Sequence, residues 1–433
     1  MKTFVIDHLA PETTAMLQAL YSRSPKSVID HLAKVSEVGA SNFMESYYVG
    51  YGHKSIGDCG TTTIFIEGVS LLAAKAIQSH PLYNGQEAST RYIDAAEWGC
   101  VHPGGLVKRH LQDRWVDLYS EVHAAMSQHY RQKFPRIDGE SEAVYAKAIK
   151  AKAFDVARGF LPCGLRTNLS WHTNLRQAWD HLSALRLHPL DEVRSIAAKV
   201  LNELKEKYPA SFGYKEYFKS AEFMDRTFWE NVPPMPVYGT PPPFRVGLDL
   251  FAVYKCRNSR MLYVNRPPKT ALPPATDMFG RLEFEFDLDY GSYRDLQRHR
   301  SCSIQAPLVA PKLFHDWYLQ EVRQSPAGAR LVASCEGLMA ETKAQSSEAS
   351  KLEDQYFFPL GSVVPIKMQC SLNSAVYIAE LRSSQSVHPT LRAVAQKMAG
   401  FLEDWFPGLE VHADMSEDEW SLRRGLQDIT SKD

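Results

Sequence analysis

The sequence carries almost no net charge and has no long hydrophobic run. Its 433 residues contain 49 Lys and Arg against 50 Asp and Glu, a formal net charge of −1. This balance argues against attraction to a nucleic-acid polymer or an acidic membrane by a global field, so any basic cluster must serve a local anion. No stretch is apolar enough to span a bilayer, and Asp7 interrupts the N-terminus where a signal peptide would stay apolar. We expect a cytoplasmic protein.

Motifs for covalent and metal chemistry are also missing. The seven cysteines are scattered and none forms a Cys-x-x-Cys pair, which disfavours a disulfide framework or a structural zinc site. We find no metal-ligand spacing, no glycine-rich phosphate loop and no Rossmann fingerprint. No cysteine lies in a recognisable nucleophile motif. Cys163 is the nearest candidate, and the sequence alone places no base beside it.

The chain does contain a proline-rich segment near its middle. Residues 231–244 include six prolines, which remove backbone donors and fix φ, so helix and central strand are excluded there. The segment predicts a linker between two domains of similar size, residues 1–230 and 245–433.

The two halves also repeat an ordered series of short motifs. The first half has Phe160-Leu161-Pro162, Leu185-Arg186, Arg194 and Tyr208-Pro209, and the second has Phe358-Pro359, Leu381-Arg382, Arg392 and Phe406-Pro407. The closing proline follows the last arginine by fifteen positions in both series. We interpret the series as an internal duplication.

Periodicity predicts an α+β protein with more helix than strand. β-Branched and aromatic residues predict strands at 61–66 and 282–288. The apolar stripe of Ala178, Leu182 and Leu185 predicts a helix beside Arg186. Further helices are predicted at residues 69–78, 106–134, 293–300, 329–351 and 389–404.

A dense basic cluster lies in the second half, where Arg294, Arg298, His299 and Arg300 fall within seven positions. On one continuous helix, Arg294 and Arg298 would share a face, where like charges repel unless an anion lies between them. Two interpretations stay open. The cluster either binds an anion such as phosphate, or forms a solvated basic face paired with acids such as Asp287, Asp289 and Asp295.

Glu87, Ser89 and Arg91 alternate in the first half, so an extended loop would point all three the same way. Arg91 could then hold a phosphate, Ser89 could donate to it, and Glu87 could accept from a sugar hydroxyl or a ring N–H. The alternative is a polar turn with an internal Glu–Arg pair. A nucleophilic role for Ser89 is disfavoured because no Gly-x-Ser-x-Gly elbow surrounds it.

His53 precedes the first predicted strand, where a structural role is the common alternative to catalysis. Arg176 and Arg186 lie on a helix with an apolar face. Arginines in such a place need a partner, and a ligand carboxylate or phosphate is one candidate.

Residues 79–92 resemble the signature of the flavin-dependent thymidylate synthases, Arg-His-Arg-x-x-Ser-x-Asn-Glu-x-Ser-x-Arg-Tyr. They keep Glu87, Ser89, Arg91 and Tyr92, whereas the second half is similar through Arg298-His299-Arg300-x-x-Ser303. Each half therefore carries an incomplete part of one signature. The resemblance implies two tandem copies of that family's fold, each a small antiparallel sheet with long helices, with residues 245–433 as a degenerate second repeat.

The resemblance also implies a chemistry. Members of the family bind FAD and transfer a one-carbon unit from methylene-tetrahydrofolate to carbon 5 of deoxyuridylate, with reduced flavin as hydride source and NADPH as the usual reductant. They are homotetramers whose sites form where subunits meet. A tandem chain is thus expected to be a homodimer that mimics four subunits, to act on a pyrimidine nucleotide, and to bind no nucleic-acid polymer and no membrane.

Site residues are carried over from the resemblance by position. The catalytic residues it implies are His53, Ser89 and Arg186. The substrate-binding residues it implies are Glu87, Ser89, Arg91, Arg186 and Arg382. The cofactor-binding residues it implies are His53, Ser55, Asn174, Arg176, Arg298, His299 and Arg300. No metal is expected. Only sites that join the first copy's loop to the second copy's arginines are expected to work.

Departures from the family pattern leave the activity open. The first copy has Asp58-Cys59 in place of Glu-His, Leu71 in place of a common Arg, and Ala76 where a glutamine often contacts the nucleotide. One alternative is a flavoenzyme of this fold that acts on another pyrimidine nucleotide, or performs hydroxymethylation or reduction. The other is a non-catalytic nucleotide-binding or structural relative. The sequence does not name the acceptor, the carbon donor or the reductant.

Overall fold

A computed structural model describes residues 2–50, 52–103, 108–213, 222–223, 244–248, 250–305, 309, 313–346, 351–417 and 420. The chain forms two compact units. The first comprises Met1–Val69, Ala73–Ala88 and Thr167–Val232, and the second comprises Ser70–Leu72, Ser89–Arg166 and Pro233–Asp433. The predicted linker, residues 231–244, lies outside the described residues except for Phe244. The domain boundaries drawn from the sequence stay a prediction, and residues 89–166 pack with the C-terminal half.

Both halves of the chain contain helices and strands. Up to residue 213 the elements are α1 (Pro11–Tyr21), α2 (Val28–Val38), α3 (Ser41–Phe43, continued by a π-helical turn over Met44–Gly50), α4 (Lys54–Gly57), β1 (Thr61–Ser70), α5 (Leu71–Gln78), β2 (Asn84–Glu87), α6 (Arg109–Lys133), α7 (Glu142–Ala157), β3 (Arg166–Asn174), α8 (Leu175–Leu185) and α9 (Asp191–Lys207). A 3₁₀ turn over Arg158–Phe160 follows α7.

The described residues from 244 onward contain β4 (Arg245–Leu248), α10 (Leu250–Asn258), β5 (Arg281–Asp289), α11 (Tyr290–Leu296), β6 (Ser303–Gln305), α12 (Asp316–Arg323), α13 (Gly328–Ala344), α14 (Lys351–Asp354), β7 (Val363–Ser371), α15 (Leu372–Arg382) and α16 (Pro389–Trp405). Short 3₁₀ turns cover Arg260–Leu262, Pro274–Phe279 and Gln355–Phe357.

The first unit is built on a three-stranded sheet in the order β1-β3-β2. Alternate residues of β3 are buried, as expected for a strand with one covered face, and Trp171 is fully enclosed. Asn174 caps the N-terminus of helix α8, and its side chain accepts from the Gln177 N–H at 2.8 Å. Its stripe of Ala178, Leu182 and Leu185 is buried, which confirms the predicted helix, and α8 packs on α9.

The second unit is built on an antiparallel sheet in the order β4-β5-β7-β6. β5 and β7 pair from Arg281↔Ser371 to Asp289↔Val363. Leu282, Phe284, Phe286 and Leu288 point into the core, and the charged residues between them lie on the more exposed face. Helix α6 packs on α7 and α13 and buries Leu111, Trp115, Val122 and Met126 at helical spacing.

Several predicted elements are confirmed, and others end elsewhere. The mixed helix and strand class is confirmed, as are strands 61–66 and 282–288 and helix 389–404. The helix predicted at 69–78 begins at Leu71 because β1 continues through Ser70. The helix predicted at 106–134 is described from Arg109 to Lys133, and that at 329–351 ends at Ala344, with 104–107 and 347–350 outside the described residues.

The prediction of one helix over residues 293–300 is wrong. Helix α11 is capped by Asp289, starts at Tyr290 and ends at Leu296. The Gln297 N–H bonds to the Tyr293 carbonyl, and a turn then leads the chain into β6, which pairs with β7. The chain therefore leaves the helix after Leu296, because β6 pairs with the sheet. Along the described residues, no helix has both the length and the apolar character needed to cross a bilayer.

Candidate anion-binding site

Arg91 lies in a turn within the second unit and is held by a carboxylate of α7. Its Nε and Nη2 donate to the two oxygens of Asp155 at 2.7 and 3.1 Å, and both side chains are at least 86% buried. This forked geometry fixes the guanidinium plane. Nη1 donates to the Ser386 carbonyl at 3.3 Å. Burial first, and then the charge of Arg158, lower the pKa of Arg91 to about 10, so it stays charged at neutral pH.

The expected extended loop over Glu87, Ser89 and Arg91 is not formed. β2 ends at Glu87, and residues 90–92 form a turn in which the Ser89 hydroxyl accepts from the Arg91 N–H at 3.2 Å. Glu87 belongs to the first unit, whereas Ser89 and Arg91 belong to the second. The hydrogen bond between the Ser89 hydroxyl and the Arg91 N–H therefore stabilises a turn, and the extended backbone expected from the alternation of Glu87, Ser89 and Arg91 is absent there.

Asp295 is the carboxylate around which the arginines of the second unit gather. Burial acts to raise its pKa, yet the charges of Arg158, Arg91, Arg382 and Arg298 together hold that pKa below its ordinary value. Four guanidinium groups thus act on one carboxylate. Such an excess of positive charge is favourable where a further anion binds.

His299 and Arg382 form the next part of this cluster. Arg382 donates from Nε to the His299 Nε2 at 2.7 Å and from Nη2 to the Asp295 carbonyl at 2.8 Å. Burial, followed by the charge of Arg382, lowers the pKa of His299 to about 3. The imidazole is therefore neutral at physiological pH. Because its Nε2 accepts, its proton resides on Nδ1, which can donate to a ligand oxygen.

The three consecutive basic residues differ in exposure. Arg298 is exposed, Arg300 is half-buried and His299 is buried. Arg294, predicted to share a helix face with Arg298, is instead buried on α11 and donates to the Thr90 hydroxyl at 3.3 Å. The prediction that Arg294 and Arg298 share a helix face is wrong because α11 ends between them. Arg298 is left as the cluster's most accessible cation among these four basic residues.

A buried polar network underlies the cluster, and sequence reasoning missed it. Arg158, 2% exposed, donates to the Ser292 hydroxyl at 2.8 Å and lies 3.7 Å from Asp295. Asp289 is fully buried and accepts from the Ser292 N–H and from the Tyr318 hydroxyl, at 2.8 and 2.9 Å. Its position at the cap of α11 was the available sequence signal. The network fixes α11 and thereby Asp295.

His388 ties α7 and α16 into the same network. Its Nε2 bonds the Asp155 carbonyl at 2.9 Å and its Nδ1 bonds the Thr390 hydroxyl at 2.8 Å. Burial, and then the charges of Arg158 and Arg91, hold its pKa well below the usual range. His388 is therefore a neutral structural group, and its contact with residue 155 supports the carboxylate that orients Arg91.

The remaining predicted site residues lie in the first unit. His53 and Ser55 are exposed at the start of the short helix α4. Arg176 donates from Nε to Asp58 at 2.7 Å and lies 3.8 Å from Asp180. Asn174 uses its side-chain oxygen to cap α8, and Arg186 is the half-buried residue at the other end of that helix. Asn174 thus retains its amide N–H groups as donors.

Glu87 is committed to partners of its own unit. Its Oε2 lies 2.8 Å from the Lys75 Nζ and accepts from the Gln78 Nε2 at 2.9 Å, and the side chains of Lys75 and Glu87 are 4% and 3% exposed. Lys75 also donates to the side-chain amide oxygen Oε1 of Gln78. A buried carboxylate needs such compensation. The sequence pattern missed both partners, although each lies on α5 close to Ala76.

The environment of Cys163 in the second unit disfavours a nucleophilic role for its thiol. Cys163, the nearest nucleophile candidate, is fully buried, and burial raises the pKa of its thiol well above the ordinary value. Across the part of the chain that the structure describes, no group of three His, Cys, Asp or Glu side chains is arranged to hold a metal ion.

The donor set of the second unit suits a phosphate or diphosphate group, including that of FAD. Forked guanidinium groups match phosphate oxygens, and neutral His299 adds one N–H. The second unit thus brings together Ser89, Arg91, Arg298, His299, Arg300 and Arg382, and the first unit holds His53, Ser55, Glu87, Asn174, Arg176 and Arg186.

Long relatives align with this chain across both halves. A UPF0159 protein of Chlamydia muridarum is 25% identical over 416 residues, which cover 83% of this chain and 78% of the relative. A UPF0159 protein of Thermoplasma acidophilum is 22% identical over 91% of this chain and 93% of its own length.

A shorter relative matches part of the chain. The flavin-dependent thymidylate synthase of Corynebacterium diphtheriae is 27% identical over 164 residues, or 37% of this chain and 64% of the relative. The family model described as thymidylate synthase complementing protein matches residues 4–210. Over residues 4–210, the chain is therefore similar to the thymidylate synthase complementing protein family.

Proposed function

We propose that this protein is a flavin-dependent enzyme that transfers a one-carbon unit from methylene-tetrahydrofolate to carbon 5 of a uridine nucleotide, as in the conversion of dUMP to dTMP. The observation that carries the proposal is the family match over residues 4–210. The arginine cluster around Asp295 supports it, because a nucleotide substrate and FAD both present phosphates.

We also propose that the chain is a tandem duplication. Matching elements have equal lengths: β3 and β7 have nine residues, α8 and α15 eleven, and α9 and α16 seventeen. The side chains of Asn174 and Ser371 cap α8 and α15 by accepting from the backbone N–H three residues on. The sheets also match in strand order: β3 lies between β1 and β2, and β7 lies between β5 and β6.

Backbone bonds inside the second unit support the duplication independently. The Leu360 N–H donates to the Leu161 carbonyl at 2.8 Å, and the Cys163 N–H donates to the Phe358 carbonyl at 2.8 Å. A shift of 197 positions converts each bond into the other. The same holds for Gly361 to Gly159 at 2.7 Å and Gly164 to Tyr356 at 2.9 Å. Exchange of equivalent partners is the mark of a two-fold interface.

The residues of the second unit have distinct roles in this proposal. Arg91, oriented by Asp155, and Arg382 bind the nucleotide phosphate and stabilise charge that develops on the pyrimidine. Arg298 and Arg300, together with the Nδ1–H of His299, bind the FAD phosphates. Bound FAD supplies the hydride that completes the methyl group.

In the first unit we assign the flavin ring to His53, Ser55, Asn174 and Arg176, and the pyrimidine to Arg186. Ser89 donates to the nucleotide, and the catalytic set is His53, Ser89 and Arg186. These assignments rest on the family resemblance by position. We propose that the protein is a homodimer and that it is located in the cytoplasm. Light scattering at micromolar concentration tests the homodimer, because it measures the mass of the particle.

A second candidate is the same flavin chemistry on another pyrimidine nucleotide. The observation that favours it is the commitment of Glu87 to Lys75 and Gln78, together with Ala76 in place of the glutamine that often contacts deoxyuridylate. A carboxylate so compensated has less capacity to accept from a nucleotide.

The experiment combines flavin content with product analysis. Purified protein is examined for a flavin absorbance band and then incubated with dUMP, methylene-tetrahydrofolate and NADPH, with dTMP measured by mass spectrometry. We expect bound FAD and dTMP formation. Arg91→Ala and Arg298→Ala should each weaken nucleotide or FAD binding roughly ten- to hundred-fold, because each removes a charge-assisted bond.

Arg330→Ala is the matched control. Arg330 is an exposed arginine that pairs with Glu121 at 2.7 Å, so the loss of its charge should leave binding and turnover unchanged. A colourless protein that takes up no FAD and forms no dTMP would refute the proposal. Bound FAD with turnover of another pyrimidine nucleotide would instead establish the second candidate.

A further inference from the structure

Two cysteines lie opposite each other at the end of the β6–β7 pair. Ser303 pairs with Gln369, Ile304 with Met368 and Gln305 with Lys367. Continuing this antiparallel register by one position places Cys302 opposite Cys370. Directly opposed residues in such a ladder have Cα atoms about 4.5 to 5.5 Å apart, which lies within the range that a disulfide requires.

The side chains of the two cysteines also meet. Cys370 follows the buried positions Ile366 and Met368 along β7, and Cys302 lies two residues before Ile304, which faces Met368. Alternation therefore places both thiols on the same face of the sheet. The two thiols lie close enough for each to shift the pKa of the other, and the Ser301 Oγ lies 3.9 Å from the Cys302 Sγ.

The thiols of Cys302 and Cys370 differ in exposure and in the direction of their pKa shifts. Cys370 is fully buried, whereas Cys302 is part-exposed. The neighbouring Cys370 thiol is the main cause that lowers the pKa of Cys302, against the effect of burial. The Cys302 thiol is likewise the first cause that raises the pKa of Cys370. Cys302 is thus the accessible and more thiolate-like member of the pair, as an initial site of attack requires.

We propose that Cys302 and Cys370 are a redox-active dithiol, a modification site that reacts with peroxides to form a reversible disulfide. The Cys302 sulfur attacks one oxygen of hydrogen peroxide, the O–O bond breaks, and the products are a sulfenic acid and water. The Cys370 sulfur then attacks the Cys302 sulfur, the S–O bond breaks, and the Cys370 proton leaves with the hydroxide as a second water. Two electrons pass from the thiols to the peroxide, which is reduced.

The disulfide would act on the segment that carries the basic residues. Residues 297–302 connect α11 to β6 and include Arg298, His299 and Arg300. A bond from Cys302 to β7 ties the C-terminal end of this segment covalently to the sheet. We expect amide hydrogen exchange across residues 297–302 to slow in the oxidised form, because local opening must then occur with that end fixed.

The test treats the full-length protein with a small excess of hydrogen peroxide and counts free thiols in denaturant. We expect the count to fall from seven to five, with a mass loss of two hydrogen atoms and a Cys302–Cys370 cross-linked peptide after digestion without reductant. Dithiothreitol should restore seven thiols. Cys302→Ser and Cys370→Ser should each abolish the cross-link.

Cys59→Ser is the matched control, because Cys59 is the other part-exposed cysteine and burial raises the pKa of its thiol. This variant should still form the cross-link. Retention of seven thiols by the wild-type protein, or oxidation of Cys302 to sulfinic acid without a cross-link, would overturn the proposal. Peptide mapping of the wild-type protein decides the matter even where a serine variant fails to fold.

Discussion

The ion pair between Arg91 and Asp155 allows a sharp test of how the anion site is held together. Asp155→Ala removes both hydrogen bonds that fix the Arg91 guanidinium, at 2.7 and 3.1 Å. The arginine remains in a position where its side chain is only 14% exposed. The Ser386 carbonyl still accepts from it, and the charge of Asp295 still stabilises it.

The magnitude follows from burial. An exposed pair contributes about 0 to 1 kcal/mol, whereas removal of one partner from a buried pair costs about 3 to 5 kcal/mol because a charge is left uncompensated. Since Asp295 lies near enough to stabilise Arg91, we expect the lower end, about 3 kcal/mol, for Asp155→Ala. In a double-mutant cycle with Arg91→Ala the coupling should be about 2 kcal/mol.

The assay is urea unfolding followed by circular dichroism, for the wild-type protein, both single variants and the double variant. Asp138→Ala serves as control, because Asp138 is an exposed acid and its loss should change the free energy of unfolding by less than about 0.5 kcal/mol. A coupling energy below about 0.5 kcal/mol would place this pair among the exposed ones and refute the argument.

Three further predictions address other parts of the molecule. Lys75→Met should lower the free energy of unfolding by about 3 kcal/mol because it leaves Glu87 buried and short of its cation, and adding Glu87→Gln should restore part of this loss in urea unfolding. Burial raises the pKa of Asp287 to about 6, so stability should fall by roughly 1 kcal/mol as pH rises from about 4 to about 6; if Asp287→Asn shows the same decline, another group is responsible. Gly361→Ala should lower the unfolding temperature by several degrees, because its Cβ would lie 2.6 Å from the Phe314 ring, whereas an unchanged midpoint would contradict that close contact.

The sequence predicted elements well where one local signal dominated. The alternation of 282–288 and the stripe of Ala178, Leu182 and Leu185 fix a strand and a helix because each pattern has one buried face. The helix predicted over residues 293–300 is wrong because no local sequence signal indicates that Ser303 pairs with strand β7. That pairing ends the helix at Leu296.

The candidate site shows the same division. Arginines at 91, 298 and 382 could be selected from the sequence because of their motifs. Their partners could not, because Asp155 is 64 residues from Arg91 and the bond from Arg382 to His299 spans 83 residues. The sequence marks Asp295 only as one of several acids near the basic cluster, whereas its place among four arginines depends on the packing of α11.

The sequence by itself determined the class of the protein, the family resemblance, the series of repeated motifs and the residue types available to bind anions. Those features are local, or are comparisons of one segment with another. Tertiary structure alone decided which residues of the two incomplete signatures lie in the same unit and which side chains they contact. It placed Arg91 and Ser89 in the same unit as Arg298, His299 and Arg382, and it left Glu87 with Lys75 in the other. The physical reason is that buried charges are stabilised by partners brought near through packing, and spacing along the chain does not specify that proximity.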